Sequence, residues 1–194
     1  MKDSIFAGII LSIAGFASIG VMQPLNGIVF SFGLFIITLL QLSLFTGDIL
    51  KAKNGINKGF IIHCTKAYIG NFIGCFIFAY LITFCSETDH VQVVAENKAN
   101  LCFLPALIKG IFCNMMVCTA AFLASRSNDL LLKFVSIMVP ITLFILCGFE
   151  HSIANMSFLL IAGCNLFNLI PVTIGNIIGG LIVVYMVDKF RGNK

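Results

Sequence analysis

The chain has 194 residues, 59% of them hydrophobic and 10% charged, and its mean hydropathy is +1.06. That much apolar surface excludes a water-soluble enzyme or binding module and predicts an all-α polytopic membrane protein. The net charge of +4 reads as a topology signal in the loops and not as a nucleic-acid footprint.

Six apolar stretches are long enough to cross a bilayer at about 20 residues each: 4–25, 27–45, 59–85, 101–125, 133–158 and 166–187. The first follows only Met1, Lys2 and Asp3; it exceeds a signal-peptide core and lacks a small-residue cleavage site, so it reads as a retained span. The second is interrupted at Ser43, Thr46, Gly47 and Asp48. Two readings stand there. Either the helix ends at the surface with Ser43, Thr46 and Asp48 as caps, or it breaks inside the membrane with Gly47 as the hinge that supplies φ > 0. The third span carries Asn71 between Gly70 and Gly74, with His63 near its start and no partner visible. A polar stretch about 87–100 follows, holding Glu87, Asp89, His90, Glu96 and Lys98, and reads as the linker.

The fourth span carries Asn114, and the fifth is interrupted by Glu150, His151, Ser152 and Asn155. An ionised side chain at the bilayer centre costs from about 2.5 to above 10 kcal/mol, so these groups must face protein or water. His151 and Asn155, four apart, are expected on one helix face. Glu150 then points elsewhere, a buried acceptor tying down the unwound segment while His151 faces a cavity. The sixth span holds Asn176 between Gly175 and Gly179.

The chain contains itself twice. Gly70-Asn71-Phe72-Ile73-Gly74 returns as Gly175-Asn176-Ile177-Ile178-Gly179, and Tyr80 as Tyr185, at an offset of 105. Carried back, that offset sets Thr46 on His151 and pairs the two polar breaks. Repeat one covers about 1–86 and repeat two about 101–194, within a single transmembrane domain, 1–194. Three spans is an odd number, so the second copy enters from the opposite side and the repeats are inverted. Asn71 and Asn176 are expected to satisfy backbone groups freed by the breaks, and Asn114 likewise. The glycine pairs are packing signals, either between helices of one subunit or toward a neighbour.

Loop charge sets orientation. With both termini cytoplasmic, Lys2, Lys51, Lys53, Lys58, Lys66, Arg126, Lys133, Lys189, Arg191 and Lys194 lie inside and only Lys98 and Lys109 outside. The eight cysteines form no CxxC pair and no zinc spacing, so they read as small apolar fillers, with no metal or cofactor expected.

At Gly148-Phe149-Glu150-His151-Ser152-Ile153-Ala154-Asn155-Met156, and again at Asn168-Leu169-Ile170-Pro171-Val172-Thr173-Ile174-Gly175-Asn176-Ile177-Ile178-Gly179-Gly180, the chain closely resembles the formate/nitrite transporter family. The likeness includes Leu44-Phe45-Thr46 and extends over nearly all of the chain. It implies an aquaporin-like fold of six spans, broken in the second and fifth, assembled as a homopentamer in a bacterial inner membrane with one anion path per subunit. By the same resemblance, Thr46 is the threonine of the loop breaking span two, His151 the central histidine facing it, and Lys98 the lysine of the outer vestibule. Leu34, Leu44 and Phe45 resemble constriction residues, Phe144 and Phe30 the aromatics of the central chamber. Glu150, Asn114 and Asn176 resemble the polar network behind the histidine. One departure is expected: only three residues precede the first span, which leaves no amino-terminal helix to gate the inner mouth. The reading is therefore a channel for small monovalent anions or their conjugate acids, formate first, nitrite or hydrosulfide next. A neutral-solute channel lacks its paired Asn-Pro-Ala breaks here, and a membrane redox enzyme would need metal or haem on the cysteines with His63 and His151.

Overall fold

The computed structural model describes residues 1–192. Its helices are α1 Lys2–Ile19, α2 Leu25–Leu39, α3 Phe45–Asp48 continued by the 3₁₀ turn Ile49–Asn54, α4 Lys58–Ile82, α5 Asp89–Ala99, α6 Phe103–Ala124, α7 Leu130–Leu146, α8 Ser152–Ile161 and α9 Leu169–Gly192. Lys194 and the side chain of Arg191, counted above among the inner charges, lie outside the described residues. Among the described residues four helices, α1, α4, α6 and α9, are long and apolar enough to cross a membrane. The other two expected stretches each appear as a pair of shorter helices, α2 with α3 and α7 with α8. Phe6, Ile13, Phe76, Leu104 and Tyr185 are exposed. Such a surface would aggregate in water and is the lipid face of a polytopic membrane fold.

Two helix crossings organise the bundle, α1 on α4 and α6 on α9. Both depend on glycine. A Cβ at Gly74 would run into the Ile5 carbonyl, and one at Gly179 into the Ile111 carbonyl; Gly70 abuts Ser4 and Gly175 abuts the Leu107 carbonyl. Both glycine pairs therefore face a helix of the same chain, where backbones approach closely and dispersion replaces the missing hydrophobic drive.

Helices α2 and α7 end in one way. Leu42 N–H reaches back to the Ile37 carbonyl (2.9 Å) and Gln41 N–H to Thr38 (3.2 Å), while Phe149 N–H reaches Phe144 (3.0 Å) and Gly148 N–H reaches Ile145 (3.0 Å). Each pair is a Schellman termination, which requires one left-handed residue past the cap. That residue is Gln41 (φ 53) in the first case and Gly148 (φ 62) in the second. Gly47, expected to supply the positive φ, sits inside α3 instead, and a Cβ built on it meets nothing within 4 Å. The turn thus occurs six residues before the glycine that seemed made for it.

The stretch read as a linker is largely the helix α5. Its polar composition hides a narrow stripe, Val91 and Ala95, four apart and fully buried, through which it packs on α8 and α1. His90 meets the Phe16 ring edge-on at 4.9 Å.

Candidate permeation site

The two restarts of the chain are braced by asparagines. Asn71 Oδ1 accepts from Phe45 N–H, the first residue of α3 (2.9 Å), and its Nδ2 donates to the carbonyls of Ser43 (3.0 Å) and Ser4 (2.7 Å). Asn176 Oδ1 accepts from Ser152 N–H, the first residue of α8 (2.8 Å), and its Nδ2 donates to Glu150 (3.0 Å) and Gly110 (2.8 Å). Each amide thus takes the first N–H of the new helix, the carbonyl two residues before it and one carbonyl of a packed neighbour. These are backbone groups that lipid cannot satisfy.

The braces also correct the register of the repeat. Phe45 lies 26 residues before its asparagine and Ser152 only 24 before its own. By bonding pattern Phe45 matches Ser152, and Leu44, which caps α3, matches His151, which caps α8. Thr46 and His151 are therefore not equivalent positions. They meet in space: Thr46 Oγ1 lies 3.0 Å from His151 Nε2, with both residues buried.

His151 is extended (φ −104, ψ 116) and its Nδ1 accepts from Ala154 N–H at 3.2 Å. An N–H only donates, so Nδ1 is bare and the neutral ring carries its proton on Nε2, which donates to Thr46. The threonine hydroxyl keeps its own hydrogen to offer elsewhere. The Thr46 carbonyl accepts from Asn114 Nδ2 (3.2 Å), which also donates to the Asn176 carbonyl (2.7 Å), and from the Cys118 thiol (3.5 Å). The Phe144 ring stacks near His151 at 6.1 Å, and the Phe30 ring meets Phe144 edge-on at 5.5 Å. Phe30, Phe144, Thr46 and His151 thus converge on one buried spot.

Because His151 is not helical, Asn155 does not pair with it across a helix face as expected. Asn155 Nδ2 donates to Glu150 Oε2 (2.6 Å) and to Asn168 Oδ1 (3.1 Å). Lys98 Nζ donates to the same Glu150 oxygen at 2.9 Å and lies over the Phe158 ring, 5.9 Å from its centroid. Lys98, itself partly exposed, is thus paired with a buried carboxylate. Asn168 was not singled out from sequence, since an asparagine just before a helix reads as an ordinary cap.

Leu34 and Leu44 line a cavity of about 390 Å³ beside the first break, with Ile37, Val117, Ile137, Asp48 and Lys51. Phe45, expected beside them, turns its ring away to Tyr68 at 4.9 Å and to a separate apolar cavity. At the rim, Asp48 accepts from Ser43, from Lys51 Nζ (2.6 Å) and from His63 Nε2 (2.7 Å). His63 is therefore partnered, contrary to its sequence reading.

A family model described as Formate/nitrite transporter matches residues 1–190. The formate channel FocA of Escherichia coli (strain K12) is 30% identical to the chain, over 98% of it and 86% of the relative. A probable formate transporter of Methanothermobacter thermautotrophicus is 31% identical over 85% of this chain and 73% of its own length. Among solved structures, a pentameric formate channel with formate bound superposes with a TM-score of 0.85 at 28% identity, covering 100% of this chain and 96% of that one. An FNT family ion channel gives 0.86 at 26% identity, covering 99% and 88%.

Proposed function

This chain belongs to the formate/nitrite transporter family, and we propose that it passes small monovalent anions or their conjugate acids, formate first, through one path in each subunit of a homopentamer. It is a transport protein of the membrane and not an enzyme, as are the relatives it matches. The finer architecture belongs to the same proposal. Six crossings form two inverted three-helix repeats, about 1–86 and 101–194, aquaporin-like, with the second and fifth crossings interrupted. Both termini face the cytoplasm of a bacterial inner membrane, supported by the excess of lysine and arginine on that side.

The observation that carries the reading is the 3.0 Å contact of Thr46 with His151. It supports the reading because two hydrogen-bonding groups meet there beside the apolar rings of Phe30 and Phe144. A hydrogen bond to a charged partner contributes about 1.5–3 kcal/mol. The insertion penalty of a charge starts at about 2.5 kcal/mol. The threonine hydroxyl and the imidazole together therefore offset the lower end of that penalty for an anion crossing a short slit. Giving up the Nε2 proton outright leaves an imidazolate until that nitrogen is reprotonated, whereas donating a hydrogen bond keeps the ring neutral and the cap of α8, from Ala154 N–H to Nδ1, in place. Leu34 and Leu44 act as the constriction on one side, Phe30 and Phe144 flank the centre, and Lys98 orders Glu150 at the other approach.

Purified protein in liposomes, challenged with formate, nitrite, hydrosulfide, lactate and chloride in turn, is expected to pass formate fastest and chloride slowest. Equal permeability to glycerol and formate would replace this reading with a neutral-solute channel.

A further inference from the structure

The Asp48 cluster contains a conflict that hydrogen-bonding rules do not allow all three partners to resolve together. His63 Nε2 lies 2.7 Å from Asp48 Oδ2 and 3.0 Å from Lys51 Nζ. If Nε2 carries a proton, it donates to the carboxylate and faces an ammonium that only donates. If Nε2 is bare, it accepts from Lys51 and sets a lone pair against the carboxylate. Lys51 meanwhile holds Asp48 Oδ1 at 2.6 Å. A neutral imidazole can take either arrangement according to its tautomer, whereas an imidazolium takes only the first and adds a positive charge beside the Lys51 ammonium.

We propose that His63 sets, through Asp48, whether the Lys51 ammonium is free to bind anions in the cavity beside the first break. The proposal rests on the anion-channel reading. With His63 protonated, the imidazolium takes Asp48, and Lys51 turns into the cavity it already lines. The rim then carries one net positive charge. With His63 neutral, Lys51 and Asp48 neutralise each other and the rim attracts anions less. Imidazole is the side chain whose charge ordinarily changes between pH 5 and 8. Side-chain exposures of 40% for His63 and 52% for Lys51, against 9% for Asp48, leave the first two open to solvent and the carboxylate fixed between them. The charged and titratable groups meeting the imidazole are Asp48 at the end of α3, Lys51 on the 3₁₀ turn and, beside it on α4, Cys64 in the field of both. The carboxylate also holds the Ser43 hydroxyl, next to Leu44 of the constriction.

The test is the half-saturating formate concentration for flux from the Lys51 side, measured at pH 6 and pH 8 in low salt. Wild-type protein is expected to need about 3- to 10-fold less formate at pH 6, a difference that shrinks in high salt. His63→Gln should hold the pH 8 value at both pH values, His63→Lys the pH 6 value at both, and Lys51→Gln should abolish the difference with His63 intact. Both His63 variants following the wild-type profile, or a pH effect confined to the maximal rate, would overturn the proposal. Amine labelling of Lys51, read by mass spectrometry, tests the switch without transport. The ratio of wild type to His63→Gln should exceed one at pH 6 and approach one at pH 8, and a ratio near one at both would also overturn it. Absence of any anion flux in wild type, with labelling as expected, would count against the channel reading and not against the switch.

Discussion

After α2 the chain turns through Gln41 and restarts in a four-residue helix; after α7 it turns through Gly148 and restarts in a ten-residue one. Both turns are Schellman terminations and both restarts are held by one asparagine with three hydrogen bonds. What differs is the carboxylate each break carries. Glu150 is enclosed, with Lys98 and Asn155 as partners, whereas Asp48 sits at a rim with Lys51 and His63 open to solvent. A shared brace thus supports two unlike surroundings: an enclosed network beside His151, and a rim whose basic side chains are open to solvent. The lesson is that one way of satisfying the backbone can carry unlike side-chain chemistry once the N–H and C=O groups are satisfied.

The largest expected effect tests the shared part. Asn71→Leu and Asn176→Leu each strand three buried backbone partners, at about 1–3 kcal/mol per unsatisfied group. Both variants should lose the folded oligomer, measured as recovery of monodisperse protein by size exclusion. If only one does, the braces are not equivalent and the comparison breaks.

The unlike part is tested by the carboxylates. Glu150→Gln leaves the Lys98 charge without its partner, a loss of about 3–5 kcal/mol. Asp48→Asn removes a pair whose cations are half exposed, a loss of about 1 kcal/mol or less. Thermal unfolding of the two variants in one detergent should rank them in that order. A larger loss at Asp48 would mean that the rim, and not the enclosed network, holds the structure together.

Next in size is His151→Phe. The ring volume is nearly kept, while the cap to Ala154 N–H and the hydrogen bond to Thr46 Oγ1 are both lost, about 1 kcal/mol each, so the oligomer should persist. Weak-acid exchange in proteoliposomes should lose whatever part of its pH dependence survives in His63→Gln. Unchanged pH dependence in the double variant would remove titration of either break from the account.

Much of this was legible because its signals are local. The duplicated glycines read as packing pairs since their spacing puts them on one helix face, and Glu150 and His151 stood out because charge in an apolar run is costly. Legibility failed where the partner comes from another element. Nothing around His63 announces Asp48, which reaches it across a turn, and Asn168 shows its role only through Asn155. The 105-residue offset misled by two residues because the second half is shorter by two between break and brace. Helix α5 escaped notice because only Val91 and Ala95 of its polar sequence are buried.

The smallest effect concerns the turns, and it separates where the chain bends from where glycine happens to be. Gln41 holds φ 53, a conformation that costs a side-chain-bearing residue about 1 kcal/mol and glycine nothing. Gln41→Gly should therefore stabilise the protein by up to about 1 kcal/mol, and Gly148→Gln should destabilise it by about 1–2 kcal/mol. Gly47→Ala, inside a helical turn with open space around it, should be neutral or slightly stabilising. Urea or thermal midpoints of the three variants measured together decide the matter. If Gly47→Ala proves the most damaging, the first break flexes at Gly47 after all, and the likeness of the two terminations has no bearing on how the pore moves.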